Sequence, residues 1–327
     1  MLIKTSTHKF GGGFRVPAFL AKVRPFLQKE SSELSLKYIE VTKTKLGKPQ
    51  EEWKMILDCH IHMMSGKGNR DTFLDRLREA GVDGGILCSL PPASFPHLGE
   101  SPTGEERLAS VMYWTEPSEY LFPFYWIDPL EDSAVEQVER AVERGVSGFK
   151  VICNHFYPGN ERALEVFKVI AEAGKPILFH SGILWDGTDS SKYNRPVGFE
   201  ALLEVHGLRF ALAHISWPWC DELIAVYGKY QSTGFRRKGF STELFVDVTP
   251  GTPPIYREEA LRKLLTVGYD VEDNVLFGTD SRAEDYNALQ TQQRVTRDTE
   301  IYEVLGLSQV AIEKIYSKNL LRFVGVE

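Results

Sequence analysis

Met55-Ile56-Leu57-Asp58-Cys59-His60-Ile61-His62 is an apolar run that ends in three polar side chains at alternate positions. In an extended strand successive side chains point to opposite faces. Asp58, His60 and His62 are therefore expected on one face, and Leu57, Cys59 and Ile61 on the other. Imidazole is the commonest protein ligand for divalent transition metals, and two histidines at i and i+2 near a strand end can hold one ion. The same residues also suit a half-exposed strand whose histidines meet only water. The rest of the chain decides between the two.

Downstream of this stretch the pattern alternates. Strands are expected at Lys54–His60, Val82–Ser89, Leu121–Asp128, Val146–Cys153, Pro176–His180, Leu208–Ile215, Leu244–Thr249 and Asn274–Asp280. Helices are expected at Asn69–Ala80, Ser133–Arg144, Glu161–Ala173, Phe199–His206, Pro218–Tyr230 and Glu258–Val267, several ended by glycine. The proline-rich segment Pro91–Tyr120 mixes loop with a helical piece, and two helical segments close the chain. Strand–helix alternation implies a parallel sheet. Eight such units in residues 54–327 fit an α/β fold of the closed (β/α)8 TIM-barrel type, for which ~250 residues is usual. The competing layout is an open doubly wound sheet. The first βα turn, His62-Met63-Met64-Ser65-Gly66-Lys67-Gly68, lacks the glycine fingerprint of that fold, which favours the barrel.

Residues 1–53 do not share the alternation and read as an N-terminal extension. Gly11-Gly12-Gly13 has no strand before it and no Gly-Lys-Ser/Thr after it, so it reads as a turn rather than a phosphate loop. A short helix is expected around Pro17–Lys29. The segment is expected to pack on the main domain or on a second subunit, so a homo-oligomer is one expected state.

Composition narrows the function. The 327 residues are 43% hydrophobic, enough for a large core. A net charge of −7 argues against nucleic acid or an anionic membrane as partner, which leaves a small-molecule substrate. No apolar run is long enough to span a bilayer, and Met1–Phe10 lacks the apolar core of a signal peptide. Cys59, Cys88, Cys153 and Cys220 are widely spaced with no Cys-x-x-Cys pair, which reads as reduced thiols in a cytoplasmic protein.

In such a barrel the chemistry sits at the C-terminal ends of the strands. There the sequence places His60 and His62 on strand one, Lys150 on strand four, His180 on five, His214 on six and Asp280 on eight. From His60 to Lys150 is 90 residues for three units. The later intervals are also close to thirty residues per unit. Each residue has a structural alternative: a satisfied core histidine, a capping aspartate, or a lysine with its amine at the rim. Four of the eight histidines falling at one mouth, with a Lys and an Asp, favours a metal site.

This constellation resembles the amidohydrolase superfamily, which carries His-x-His on the first strand, Lys on the fourth in many members, His on the fifth and sixth, and Asp on the eighth. Three local features look like its amidohydrolase-2 branch, which includes aminocarboxymuconate semialdehyde decarboxylase. They are the entry Asp58-Cys59-His60-Ile61-His62; His214 followed by Trp217-Pro218-Trp219 and the strand Leu244–Thr249; and the closing Glu313-Lys314-Ile315 with Asn319-Leu320. Ser216 stands where the branch often has Gly. The resemblance implies that His60, His62, His180 and Asp280 hold one divalent ion, Zn²⁺ suiting the donors. The ion would lower the pKa of a bound water toward ~7. Asp280 would carry that water's proton to the leaving group, and His214 would bond the water or polarise a substrate carbonyl. Lys150 has two implied roles. It is either a carboxylated bridge to a second ion or a cation for an anionic substrate.

Loop residues His155, Trp185, Trp217 and Arg282 suit a small carboxylated or cyclic substrate, with rings on tryptophan and a carboxylate on Arg282. Arg282 also reads as a surface residue at a helix start, and Trp217 as packing. Three functions fit: a hydrolase of an ester, lactone or amide; a non-oxidative decarboxylase of a muconate-type or aromatic acid; and a non-catalytic barrel with a structural ion. They are ranked in that order; the non-catalytic barrel comes last because structural zinc sites are normally closed and built of Cys and His, while the first two share every ligand.

Overall fold

The computed structural model describes residues 55–95 and 102–326. The expected extension over residues 1–53, with its glycine turn and its helix at 17–29, lies outside the described residues.

The strands are β1 (Leu57–His62), β2 (Gly84–Cys88), β3 (Leu121–Trp126), β4 (Gly148–Val151), β5 (Ile177–Phe179), β6 (Arg209–Leu212), β7 (Glu243–Asp247), β8 (Val275–Leu276) and β9 (Ser281–Arg282). All pairings are parallel, in the order β8-β7-β6-β5-β4-β3-β2-β1-β9. The last expected strand is thus split. Its first half pairs with β7, its second half with β1, and the Cys59 N–H donates to the Phe277 carbonyl at 2.9 Å between them. Residues 275–282 therefore join both ends of the sheet, as a barrel requires. Gly278 permits this: a Cβ there would lie 2.6 Å from Thr249 Cγ2 and 2.8 Å from Cys59 Sγ.

The helices between strands are α1 (Arg70–Ala80), α2 (Gly104–Thr115), α3 (Ala134–Glu143), α4 (Glu161–Glu172), α5 (Cys220–Arg236) and α6 (Pro254–Thr266). After β9 come α7 (Ala288–Val304), α8 (Gln309–Glu313), a π-helical turn over Lys314–Lys318 and α9 (Asn319–Val324). Local chemistry sets their ends. The Asn69 side chain accepts from the Thr72 N–H, and left-handed Gly81 closes α1. Thr103 and Glu106 form a reciprocal capping box for α2.

The helix expected at Phe199–His206 is instead a 3₁₀ run, Pro196–Glu204. Its buried side chains Pro196, Phe199 and Leu202, with Val205 just beyond, recur every three residues, which is the 3₁₀ period.

The alternating faces expected of β1 are also corrected. Between Asp58 and Ile61 the pairing with β2 shifts by one residue, a bulge. Leu57 and Cys59 pack inside the barrel with Ile86, Phe124, Leu178, Phe245 and Leu276, closed from below by Leu320 and Phe323. Ile61 packs outward in the main helix-facing core. Past the bulge His60 and His62 face the mouth. Asp58 turns the other way and accepts from Thr279 N–H (2.9 Å), Thr279 Oγ1 (2.6 Å), Tyr286 OH (3.0 Å) and His60 N–H (3.1 Å). Burial pushes its carboxyl up to about 6 against those four donors. Asp58 thus ties β1 to the turn that carries Asp280.

Candidate metal centre

His60 Nε2 is the point on which the polar groups of the mouth converge. His62 Nε2 lies 3.0 Å away, Lys150 Nζ 3.1 Å and Asp280 Oδ1 3.8 Å. Asp280 Oδ1 is also 3.3 Å from His62 Nε2. His60, His62 and Asp280 form a group able to hold a metal ion, with ligand atoms all within 4.8 Å of one another.

The charge states suit a cation. Burial, and then the Lys150 charge, lower the His60 pKa to about 3, and burial lowers that of His62. Both imidazoles are therefore neutral, with lone pairs to give. Partial removal from water raises Asp280, but the His62 bond and the nearby imidazoles overcome this and hold it well below the usual carboxylate range. The carboxylate stays ionised at a mouth where its side chain is 36% exposed. Two imidazoles and a carboxylate match the donors preferred by borderline divalent ions such as Zn²⁺.

Asp247, at the end of β7, backs this group. Its Oδ2 lies 2.8 Å from His60 Nδ1, and both side chains are fully buried. An ionised carboxylate only accepts, so the proton sits on Nδ1 and the Nε2 lone pair faces the other ligands. The sequence reading missed Asp247, although it ends Leu-Phe-Val-Asp by the same strand-end rule that found Asp280. Asp247→Ala is expected to weaken metal binding by roughly 10–100-fold. Chelator competition measures this, and unchanged affinity would refute the orienting role.

The other expected site residues divide. Lys150 is fully buried at the centre, and burial lowers its pKa. His180 stands in the same mouth, 5.0 Å ring to ring from His214, but its Nε2 faces the Ile183 carbonyl at 3.3 Å. The structure therefore does not bring His180 into the three-residue group. The His214 ring stacks 5.4 Å from that of His60, and its Nδ1 is 2.9 Å from Thr249 Oγ1. Arg282 is exposed on β9, in register with His62, and its guanidinium has no hydrogen-bond or ion-pair partner among the described residues. His155 pairs with Asp128 at 3.5 Å and with Asn154 at 2.6 Å. Trp217 stacks on Tyr256, and Trp185 is 80% exposed. Trp126, which the sequence reading did not single out, packs 5.5 Å from His62 and joins Phe95, Ile152 and Leu184 in a separate apolar cluster.

The backbone around His214 is unusual. His214, Ile215 and Ser216 have φ of 64°, 48° and 54°, three consecutive left-handed residues without a glycine. Such a conformation is costly for L-residues and persists only where its surroundings enforce it. Gly182 and Gly251 make room: a Cβ on either would lie 2.5 Å from Trp217 O or 2.7 Å from His214 Cβ. Ser216 occupies a left-handed position of the kind that favours glycine, and it gains a 2.7 Å bond from Ser181 Oγ.

The profile of the amidohydrolase family matches residues 57–326, and the chain belongs to that family. No curated protein sequence matches it. Among solved structures, it is similar to a probable 2-pyrone-4,6-dicarboxylic acid hydrolase from Acinetobacter baumannii with citric acid bound. That match has a TM-score of 0.55 and 12% identity, covering 83% of this chain and 99% of the other. A 2,6-dihydroxybenzoate decarboxylase from Rhizobium matches with TM-score 0.54 and 14% identity, over 84% and 98%. A dihydroorotase from Campylobacter jejuni matches with TM-score 0.53 and 13% identity, over 84% of each chain. These likenesses establish the barrel fold. Among the described residues, no helix is long and apolar enough to cross a membrane.

Proposed function

We propose that this chain is a metal-dependent hydrolase of a small, carboxylated ester, lactone or amide. The observation that carries the reading is the convergence of neutral His60 and His62 with ionised Asp280 on one point of the barrel mouth. One Zn²⁺ held by His60, His62 and Asp280 is the proposed cofactor; His180, in the same mouth, would complete the set only by turning its Nε2 away from the Ile183 carbonyl. When bound it would act as a Lewis acid and lower the pKa of a water.

The chain's own residues supply the rest. Asp280 takes a proton from the attacking water and returns it to the leaving group. His214 donates to the developing oxyanion. Arg282, exposed and unpartnered among the described residues, binds the substrate carboxylate. Lys150, its amine 3.1 Å from His60 Nε2, serves in this one-ion reading as a cation for the anionic substrate rather than as a carboxylated bridge to a second ion. A cytoplasmic location belongs to the same reading and is supported by four buried, unpaired cysteines.

A second reading, non-oxidative decarboxylation of a muconate-type or aromatic acid, is favoured by Trp126 with Phe95, Ile152 and Leu184. Together they offer an apolar, ring-accepting wall beside His62. A panel of lactones and carboxylated aromatics, scored for proton release against CO₂ release, separates the two. Proton release without CO₂ is expected, and stoichiometric CO₂ would replace the first reading with the second. Metal analysis of the same preparation is expected to give one ion per chain.

A further inference from the structure

Two residues at the end of β7, Asp247 and Thr249, each face the Nδ1 of a mouth histidine, His60 and His214 respectively. Their chemistries are opposite. A carboxylate only accepts, whereas a hydroxyl can give its proton. Thr249 is fully buried, and among the described residues its hydroxyl has no other partner than His214 Nδ1. If His214 donated to it, the threonine proton would be stranded in the interior without an acceptor. If Thr249 donates, only a spare lone pair goes unused, which is far less costly. The hydrogen bond therefore runs from Thr249 to Nδ1, and the ring proton of His214 sits on Nε2.

Nothing else in the described structure takes that Nε2 proton. The ring is held at the mouth, stacked on His60, by the left-handed turn at residues 214–216. We propose that Thr249 is a positioning residue that fixes His214 as the Nε2–H tautomer. His214 then acts as a hydrogen-bond donor to the substrate rather than as a metal ligand. The end of β7 thereby sorts two adjacent imidazoles: Asp247 makes His60 a lone-pair donor, and Thr249 makes His214 a proton donor. The proposal rests on the functional reading above for what the donor meets, but the tautomer itself does not.

The test uses the zinc-loaded full chain with ¹⁵N-labelled histidine. The His214 signals are assigned by their loss in His214→Gln. The wild type is expected to show the proton on Nε2. Thr249→Val, which keeps the shape and loses the hydroxyl, is expected to mix the tautomers. It should lower kcat by roughly 10–100-fold, with KM and bound zinc within about twofold. Thr249→Ser is expected to restore both signals and rate, which also guards against simple misfolding. A proton on Nδ1 in the wild type would overturn the proposal, as would a Thr249→Val protein with unchanged tautomer and rate. If no member of the substrate panel is turned over while the Nε2–H signal and its dependence on Thr249 are found, the tautomer assignment stands. The hydrolase reading would then be the one that fails.

Discussion

Asp280→Asn is expected to lower kcat by roughly 10²–10⁴-fold, the range spanned by loss of a positioned acid–base group. Asparagine keeps the size of the side chain and one carbonyl oxygen. It has no charge to offer a cation and no basic oxygen to take a proton from water. The replacement is mild for the fold. Asp280 has φ 54°, and asparagine is among the few non-glycine residues that tolerate this region. Its neighbours are held independently, since Thr279 bonds Asp58 through both its N–H and its hydroxyl. A folded protein with weakened metal binding and little turnover is thus the expected result. Circular dichroism and metal analysis run beside the kinetics separate loss of the ion from loss of the proton carrier. A folded variant that keeps wild-type turnover would remove Asp280 from the mechanism altogether.

The polar ends of the strands were legible because a barrel projects them onto one mouth at intervals of one βα unit. The details were not, and each for a physical reason. Strict alternation put Asp58 beside His60 and His62. The bulge between Asp58 and Ile61 moves it to the outer face, and bulges depend on how the neighbouring strand pairs. Asp247 was readable from its own strand end, but its value lies in contact with His60, 187 residues away. The left-handed turn at 214–216 carries no glycine to announce it. The split of the last strand follows from the need to pair with both β7 and β1, which only the closed sheet imposes. His180 illustrates the converse. Its strand-end position was readable, but the Ile183 carbonyl that its Nε2 faces belongs to the loop after β5.

Asp298→Ala is expected to cost about 3–5 kcal/mol of stability, the range for breaking one side of a buried ion pair. Asp298 on α7 grips Arg257 on α6 with both oxygens, at 3.1 and 2.6 Å, and both side chains are at most 2% exposed. Burial works to lower the Arg257 pKa, but Asp298 reverses this and the guanidinium is held more firmly charged than usual. Among the described residues its Nη1 already lacks a partner, as does the neighbouring Tyr302 hydroxyl, and none of them is placed to replace the lost carboxylate. Alanine would leave a buried, uncompensated positive charge at the joint of two helices. The urea midpoint should fall accordingly, while a control at an exposed pair such as Arg262–Glu258 should move stability by less than about 1 kcal/mol. The double change Arg257→Met with Asp298→Leu is expected to recover most of the loss, because it removes both desolvated charges together. If Asp298→Ala alone is neutral, water must reach the Arg257 guanidinium, and the α6–α7 joint is looser than its packing indicates.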